Sequence, residues 1–263
     1  MIRAVLFDLD NTLTDFMKMK DGAIRAAVEA MIDMGLTLDP DAAHARLYAI
    51  YEREGIEYQR VFDQLLRDLY GELRPDILAA GIMGYRRARD SRLVLYPHVK
   101  STLVELLRRG LRLAVISDAP SLQAWQRLHH LSLQHMFEHV ITFDDTGERK
   151  PAPAPFRRAM ELLGLPADAL LMVGDWPERD MRGAQALGIR TVFARYGDTW
   201  GAQRCAPGCS GADFEVDDIG ELLGIVDGLN RQGPGGGGGG EPEGPVGGAR
   251  DPGSGAGGAR RRA

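Results

Sequence analysis

Cysteine is nearly missing from this chain: Cys205 and Cys209 are the only two. No disulfide framework is expected, and a reducing compartment is the natural setting. Their C-x₃-C spacing makes half a metal site at most, and no histidine follows to complete one, so they read as incidental loop cysteines. Long apolar runs are missing as well. No window approaches the roughly 20 apolar residues of a membrane span. The opening MIRAVLFDLD has an apolar run too short for a signal peptide, interrupted by Asp8. A cytoplasmic protein with no membrane partner is expected. Nor is there a basic surplus. The net charge is −5, and residues 231–263 hold five Arg against two Glu and one Asp, so the body before them carries −7. With no basic stripe to neutralise phosphates, the body is not expected to bind nucleic acid.

Residues 231–263 are also poor in what folding needs. They are rich in glycine, hold almost no aliphatic side chains and no aromatic ones. Such a segment cannot bury enough apolar surface to offset its ordering entropy, so a disordered Gly-rich tail is predicted. The remainder suffices for one α/β domain with an inserted helical subdomain.

Short apolar runs rich in β-formers recur along that remainder. IRAVLF (2–7), LRLAVIS (111–117), HVITF (139–143), LLMVGD (170–175) and IRTVFA (189–194) read as buried parallel strands. Helical patterns lie between them. In HVKSTLVELLRRG (98–110), Val99, Leu103 and Leu106 share one face and Gly110 ends the pattern; PAPFRRAMELLGL (153–165) starts on Pro and stops near Gly164. A last strand and closing helix are predicted in 214–229. Strand and helix alternating in this way predict a doubly wound parallel sheet covered by helices on both faces. Residues 16–94 break the rhythm with successive helical patterns and no strand. The expected organisation is a core of 1–15 and 95–230, a helical cap of 16–94, and the tail of 231–263. An insert straight after the first strand belongs above that strand's C-terminal end, where open α/β sheets bind ligands.

Chemistry-bearing residues sit at the predicted strand ends. Asp8 and Asp10 follow the first strand, where a poorly solvated carboxylate pair is costly unless a cation or donors compensate. Oxygen-only ligands point to Mg²⁺. Ser117-Asp118 end the second strand, where a hydroxyl and backbone amides can hold an anion. Lys150 follows the third, and Gly174-Asp175 open the run GDWPERD after the fourth, with Asp180 at its end. Each alone is weak. In this order they converge on one crevice suited to a phosphate and a magnesium ion.

DLDNTL, the Ser117 strand end, Lys150 and GDWPERD together resemble the four ordered motifs of the haloacid dehalogenase-like superfamily, over roughly residues 1–230. The insert resembles that superfamily's C1-type helical cap, as in its phosphoglycolate phosphatase-like group. The resemblance implies a Rossmann-like core and an Mg²⁺-dependent phosphatase for a small phosphorylated metabolite. Some relatives act on glyceraldehyde 3-phosphate. It implies Asp8 as nucleophile forming an aspartyl-phosphate and Asp10 as general acid/base. It further implies Asp8, Asp10 (through its carbonyl) and Asp175 as metal ligands, Ser117, Asp118 and Lys150 as phosphate-binding groups, and Thr12 and Asp180 as supports. Dehalogenation would leave Asp10 and Asp175 without a purpose. The same core would also suit a phosphomutase, a phosphonate hydrolase or a catalytically silent binding protein. Monomer and homodimer are both compatible with this composition. In the insert, Lys18, Lys20, Arg25, Arg53 and Arg60 are candidates to meet an anionic substrate group, although helix-face charges of this kind are commonly solvated.

Overall fold

A computed structural model describes residues 1–197 and 208–231. In chain order the elements are β1 (Ala4–Phe7), α1 (Phe16–Asp33), α2 (Pro40–Glu54), α3 (Val61–Tyr70), α4 (Pro75–Arg92), α5 (Val99–Arg108), β2 (Arg112–Ile116), α6 (Ser121–His130), β3 (His139–Ile141), α7 (Phe143–Thr146), α8 (Pro153–Leu163), β4 (Leu170–Gly174), α9 (Arg182–Gln185), β5 (Arg190–Ala194), β6 (Phe214–Val216) and α10 (Leu222–Arg231). The expected disordered tail lies outside the described residues except for Arg231, which closes α10. Cys209 is disulfide-bonded, so the reading of it as an incidental cysteine is corrected, and Cys205 lies outside the described residues.

The strands form one parallel sheet in the order β3-β2-β1-β4-β5-β6. Side chains alternate across a strand, and both faces here are apolar. Val5 and Phe7 of β1, Leu113 and Val115 of β2, and Leu171 and Val173 of β4 pack toward Leu103 and Leu106 of α5, Leu128 of α6 and Val226 of α10. Ala4, Leu6, Ala114, Ile116, Leu170 and Met172 face Phe156, Ala159 and Leu163 of α8 and Ala184 of α9. A fully buried Leu or Phe contributes about 1.5–3 kcal/mol, so this two-sided burial is the main stabiliser of the sheet. Helix ends follow their residues. Pro153 begins α8, and Gly164 stops it at φ 58°, a conformation glycine adopts without a Cβ penalty.

The helices α1 to α4 enclose an apolar cluster of their own, built on Ile24, Val28, Met31, Leu47, Ile50, Phe62, Leu65, Leu66 and Ile77. Asp39 caps α2 by accepting from Asp41 N and Ala42 N, with Pro40 in its first turn. The chain leaves and re-enters the sheet at one place. Thr14 bridges Leu95, Thr14 Oγ1 donates to Val94 O at 2.6 Å, and Tyr96 N donates to Leu13 O at 3.1 Å. These side-by-side connections seat the four-helix unit beside the C-terminal end of β1. Among the described residues no helix is long and apolar enough to cross a membrane.

Candidate active site

Parallel register brings the strand ends level. Phe7 pairs with Val115 on one side and Val173 on the other. One or two residues beyond these partners come Asp8, Ser117 and Asp175, and all three are buried. Asp8 N donates to Val173 O at 2.9 Å, tying the first acidic residue to β4. Asn11 then takes φ 59°, which asparagine tolerates better than most residues, and its Oδ1 accepts from Met17 N at 3.0 Å at the start of α1.

Lys150 arrives from the loop before α8 and is almost fully buried. Its Nζ donates to Asp8 Oδ1 at 2.6 Å and to Ile116 O at 3.0 Å, and lies 2.6 Å from Asp180 Oδ1. Lys150 N donates to Asp118 Oδ1 at 2.9 Å, so Asp118 holds the lysine's own backbone in place. After β4 a π-helical turn, Pro177–Met181, swings Asp180 back beneath the strand end, where its Oδ2 accepts from Trp176 N at 3.0 Å. Gly174 permits this approach. A Cβ there would stand 2.4 Å from the Asp180 carboxylate. Thr12 Oγ1 donates to Asp175 Oδ1 at 3.3 Å, and Tyr196 Oη donates to Thr12 O at 2.8 Å. Ser117 Oγ accepts from Ala119 N at 3.2 Å and lines the same cavity.

Asp8, Asp175 and Asp180 each offer an oxygen within 4.8 Å of the others. Their electrostatics are short of positive charge. Burial raises Asp8, with Lys150 opposing. Burial also raises Asp175 well above the carboxylate range, and the nearby Asp8 and Asp180 raise it further. Asp180 is pushed up to about 7, again by burial against the pull of Lys150. Against its own burial, the Lys150 amine is held above its ordinary value by Asp180, Asp8 and Asp118. One ammonium among these carboxylates leaves a deficit that a hard divalent cation would fill. The donors are all oxygens, so the residues fit Mg²⁺ better than a softer metal.

Every sequence-predicted site residue lies in this neighbourhood. The carboxylate that joins Asp8 and Asp175 is that of Asp180, while the Asp10 side chain turns toward α6. There Asp10 Oδ2 accepts from Arg127 Nη1 at 2.8 Å, and Asp10 Oδ1 is buried with no hydrogen-bond partner among the described residues. Burial pushes Asp10 up to about 6, opposed chiefly by Arg127. Arg127 also donates to Glu57, between α2 and α3, and stacks 4.2 Å from the centroid of Phe16. Neither Arg127 nor Glu57 stands out in the sequence. Arg127 sits on the amphipathic α6 and Glu57 in the short loop between α2 and α3, and only the packing of α6 against the insert joins them beside Asp10. Arg179 lies visibly inside GDWPERD; it stacks 3.9 Å over Trp176 and reaches Asp118 Oδ2 at 3.4 Å. Of the insert's candidate cations, Lys20 alone is buried. Arg25 pairs with Asp21, Arg53 pairs with Glu54, and Lys18 and Arg60 are exposed.

The strand-end residues open into a cavity of about 320 Å³ lined by Asp8, Asp10, Ser117, Lys150 and Asp175 from the sheet and by Phe16, Ile56 and Tyr58 from the insert. That volume is at the low end of the roughly 300–1,000 Å³ of small-molecule sites.

Residues 2–188 match the family described as hydrolase, haloacid dehalogenase-like hydrolase. A glyceraldehyde 3-phosphate phosphatase of Methanocaldococcus jannaschii is 33% identical over 234 residues, covering 88% of this chain and all of that protein. One from Pyrococcus abyssi is 35% identical over 197 residues, 75% of this chain and 83% of its own length. The crystal structure of a HAD phosphatase from Thermococcus onnurineus superposes with a TM-score of 0.65 at 26% identity, covering 86% of this chain and 99% of the other.

Proposed function

Since the chain belongs to the haloacid dehalogenase-like hydrolases and is a phosphoric monoester hydrolase, we propose that Asp8 is its nucleophile and that its substrate is a small sugar phosphate of the glyceraldehyde 3-phosphate kind. The observation that supports this reading best is the meeting of Asp8, Lys150, Asp175 and Asp180 at one strand edge. The small, partly apolar cavity beside them suits a compact ester better than a polymer.

In this reading Asp8, Asp175 and Asp180 hold Mg²⁺ together with the Asp10 carbonyl. When bound, the ion neutralises charge on the phosphoryl oxygens. The remaining steps belong to the chain's own residues. An Asp8 oxygen attacks phosphorus, the bond from phosphorus to the ester oxygen breaks, and an aspartyl-phosphate forms. Asp10 gives its proton to the departing oxygen; burial raises its pKa to about 6, so it exchanges protons closer to neutrality than an ordinary carboxyl even while paired with Arg127. Water then attacks phosphorus and loses a proton to Asp10, the acyl-phosphate P–O bond breaks, and inorganic phosphate leaves with Asp8 restored. Proton transfer of this kind is worth about 10²–10⁴ in rate. Lys150, anchored by Ile116 O, pairs with an equatorial phosphoryl oxygen, and Ser117 with the Asp118 backbone holds the others. Thr12 orients Asp175. Residues 16–94 act as the cap that shuts water out.

The test is turnover of p-nitrophenyl phosphate and a panel of phosphorylated metabolites, with Mg²⁺ and then with EDTA. Turnover that EDTA abolishes and added Mg²⁺ restores is expected, with small sugar phosphates at the top of the panel. No phosphate release from any phosphomonoester in the presence of Mg²⁺ would sink the proposal.

A further inference from the structure

A second cavity, of about 590 Å³, lies between α1, α3, α4 and α6. It shares Phe16, Glu57 and Tyr58 with the wall of the strand-end cavity. Its lining carries the cations Lys20, Arg86, Arg89 and Arg127 against the carboxylates Glu57 and Asp90. Both carboxylates are engaged, Glu57 with Arg127 and Asp90 with Arg89. Lys20 is not. It is only 4% exposed, and its ammonium lies 4.3 Å from the centroid of Tyr51 and 5.3 Å from that of Tyr85. It makes no hydrogen bond or ion pair among the described residues. Ring faces attract a cation but offer it no acceptor for its three N–H donors. A buried ammonium in an aromatic wall, facing a cavity with surplus positive charge, is the arrangement of a site awaiting an anion. Folding gives no reason to keep it, because a methionine of similar length would fill the space without desolvating a charge.

We propose that this cavity is an oxyanion-binding subsite anchored by Lys20, which takes the second anionic group, phosphate or carboxylate, of a doubly anionic substrate whose first phosphate sits at Asp8. The assignment rests on the phosphatase reading above and narrows its substrate to a phosphate ester with a second anionic group, which glyceraldehyde 3-phosphate itself lacks. The two cavities adjoin, sharing Phe16, Glu57 and Tyr58, so the two anion positions are neighbours. Arg127 spans the wall between them, bonded to Asp10 on one side and Glu57 on the other. Arg86 and Arg89 supply the outer rim.

The same oxyanion chemistry could be met by a free anion, and the experiment separates the two sources. The full chain and its Lys20→Met and Lys20→Arg variants are assayed with Mg²⁺ on p-nitrophenyl phosphate and on a sugar bisphosphate. Sulfate binding is measured by calorimetry in parallel. A distal substrate group predicts that the ratio of kcat/KM for the bisphosphate to that for p-nitrophenyl phosphate falls at least tenfold in Lys20→Met and recovers mostly in Lys20→Arg. A free-anion site predicts two bound sulfates in the parent and one in Lys20→Met, with the substrate ratio unmoved; that result keeps the subsite and overturns its assignment to substrate. An unmoved ratio together with unchanged sulfate stoichiometry overturns the subsite itself. A parent protein that hydrolyses neither ester defeats the phosphatase reading instead, and the sulfate stoichiometry still decides the subsite.

Discussion

Replacing Lys20 by methionine should make the protein more stable. Burial lowers the Lys20 pKa from 10.5 to about 8, with Glu57 opposing and Arg127 reinforcing. At 1.36 kcal/mol per pH unit, that drop corresponds to about 3 kcal/mol against the charged form in the fold. The Tyr51 and Tyr85 faces return about 0.5–2 kcal/mol. Methionine keeps the length and apolar body and removes the charge, so Lys20→Met should gain about 1–3 kcal/mol at pH 7, or roughly 2–10 °C in Tm for a protein of this size. The sign with pH follows from proton binding. Between about 8 and 10.5 the unfolded chain holds a proton on Lys20 that the folded chain has released, so stability of the parent rises with pH there. Below about 8 both states are protonated and the full penalty applies. The advantage of Lys20→Met should therefore be constant up to about pH 8 and shrink steadily toward pH 10.5. Urea unfolding of both proteins at about pH 7, 9 and 10, without sulfate or phosphate, measures it. An unchanged or lower stability of Lys20→Met near neutrality, or a gap that ignores pH across that window, would refute the claim that an unpaired ammonium is buried here.

Three other outcomes follow from the strand-end site. Asp8→Asn should abolish steady-state turnover, because the amide oxygen cannot form the acyl-phosphate; sustained phosphate release by purified Asp8→Asn protein would count against Asp8 as nucleophile. Lys150→Met leaves Asp8 and Asp180 without their ammonium, and breaking such a buried pair costs about 3–5 kcal/mol. The loss should be largest in EDTA and smaller with Mg²⁺, so equal destabilisation in both, read from Tm, would argue against a cation among the three carboxylates. Gly174→Ala puts a methyl group 2.4 Å from the Asp180 carboxylate. It should displace Asp180 and weaken Mg²⁺ activation at least tenfold; an unaltered Mg²⁺ dependence of kcat would release Asp180 from its proposed role.

Much of this molecule is legible in the chain without coordinates. The strand runs coincide with the observed strands to within a residue or two, because strands buried on both faces leave uninterrupted apolar runs, here short and rich in β-formers. Asp8, Lys150 and Asp175 are legible because each follows such a run, and a parallel sheet places all strand ends on one edge. Helix bounds are less sharp. The run 98–110 narrows to Val99–Arg108, since terminal residues can fray or turn without changing the apolar face.

Sequence alone determined the sheet, the order of its charged strand ends and the chemistry they share, since all three depend on local pattern and on the rule that parallel strands align. Tertiary structure decided which carboxylates face one another. Asp180 joins Asp8 and Asp175 because a π-helical turn carries it back under Gly174, while Asp10 turns away to Arg127. It also decided that Lys20, one of several cations on the inserted helices, is the one sealed among aromatic rings while Lys18 and Arg25 stay in water. A helix presents all its faces in sequence alike, and only what packs against each face decides whether a charge is solvated or buried.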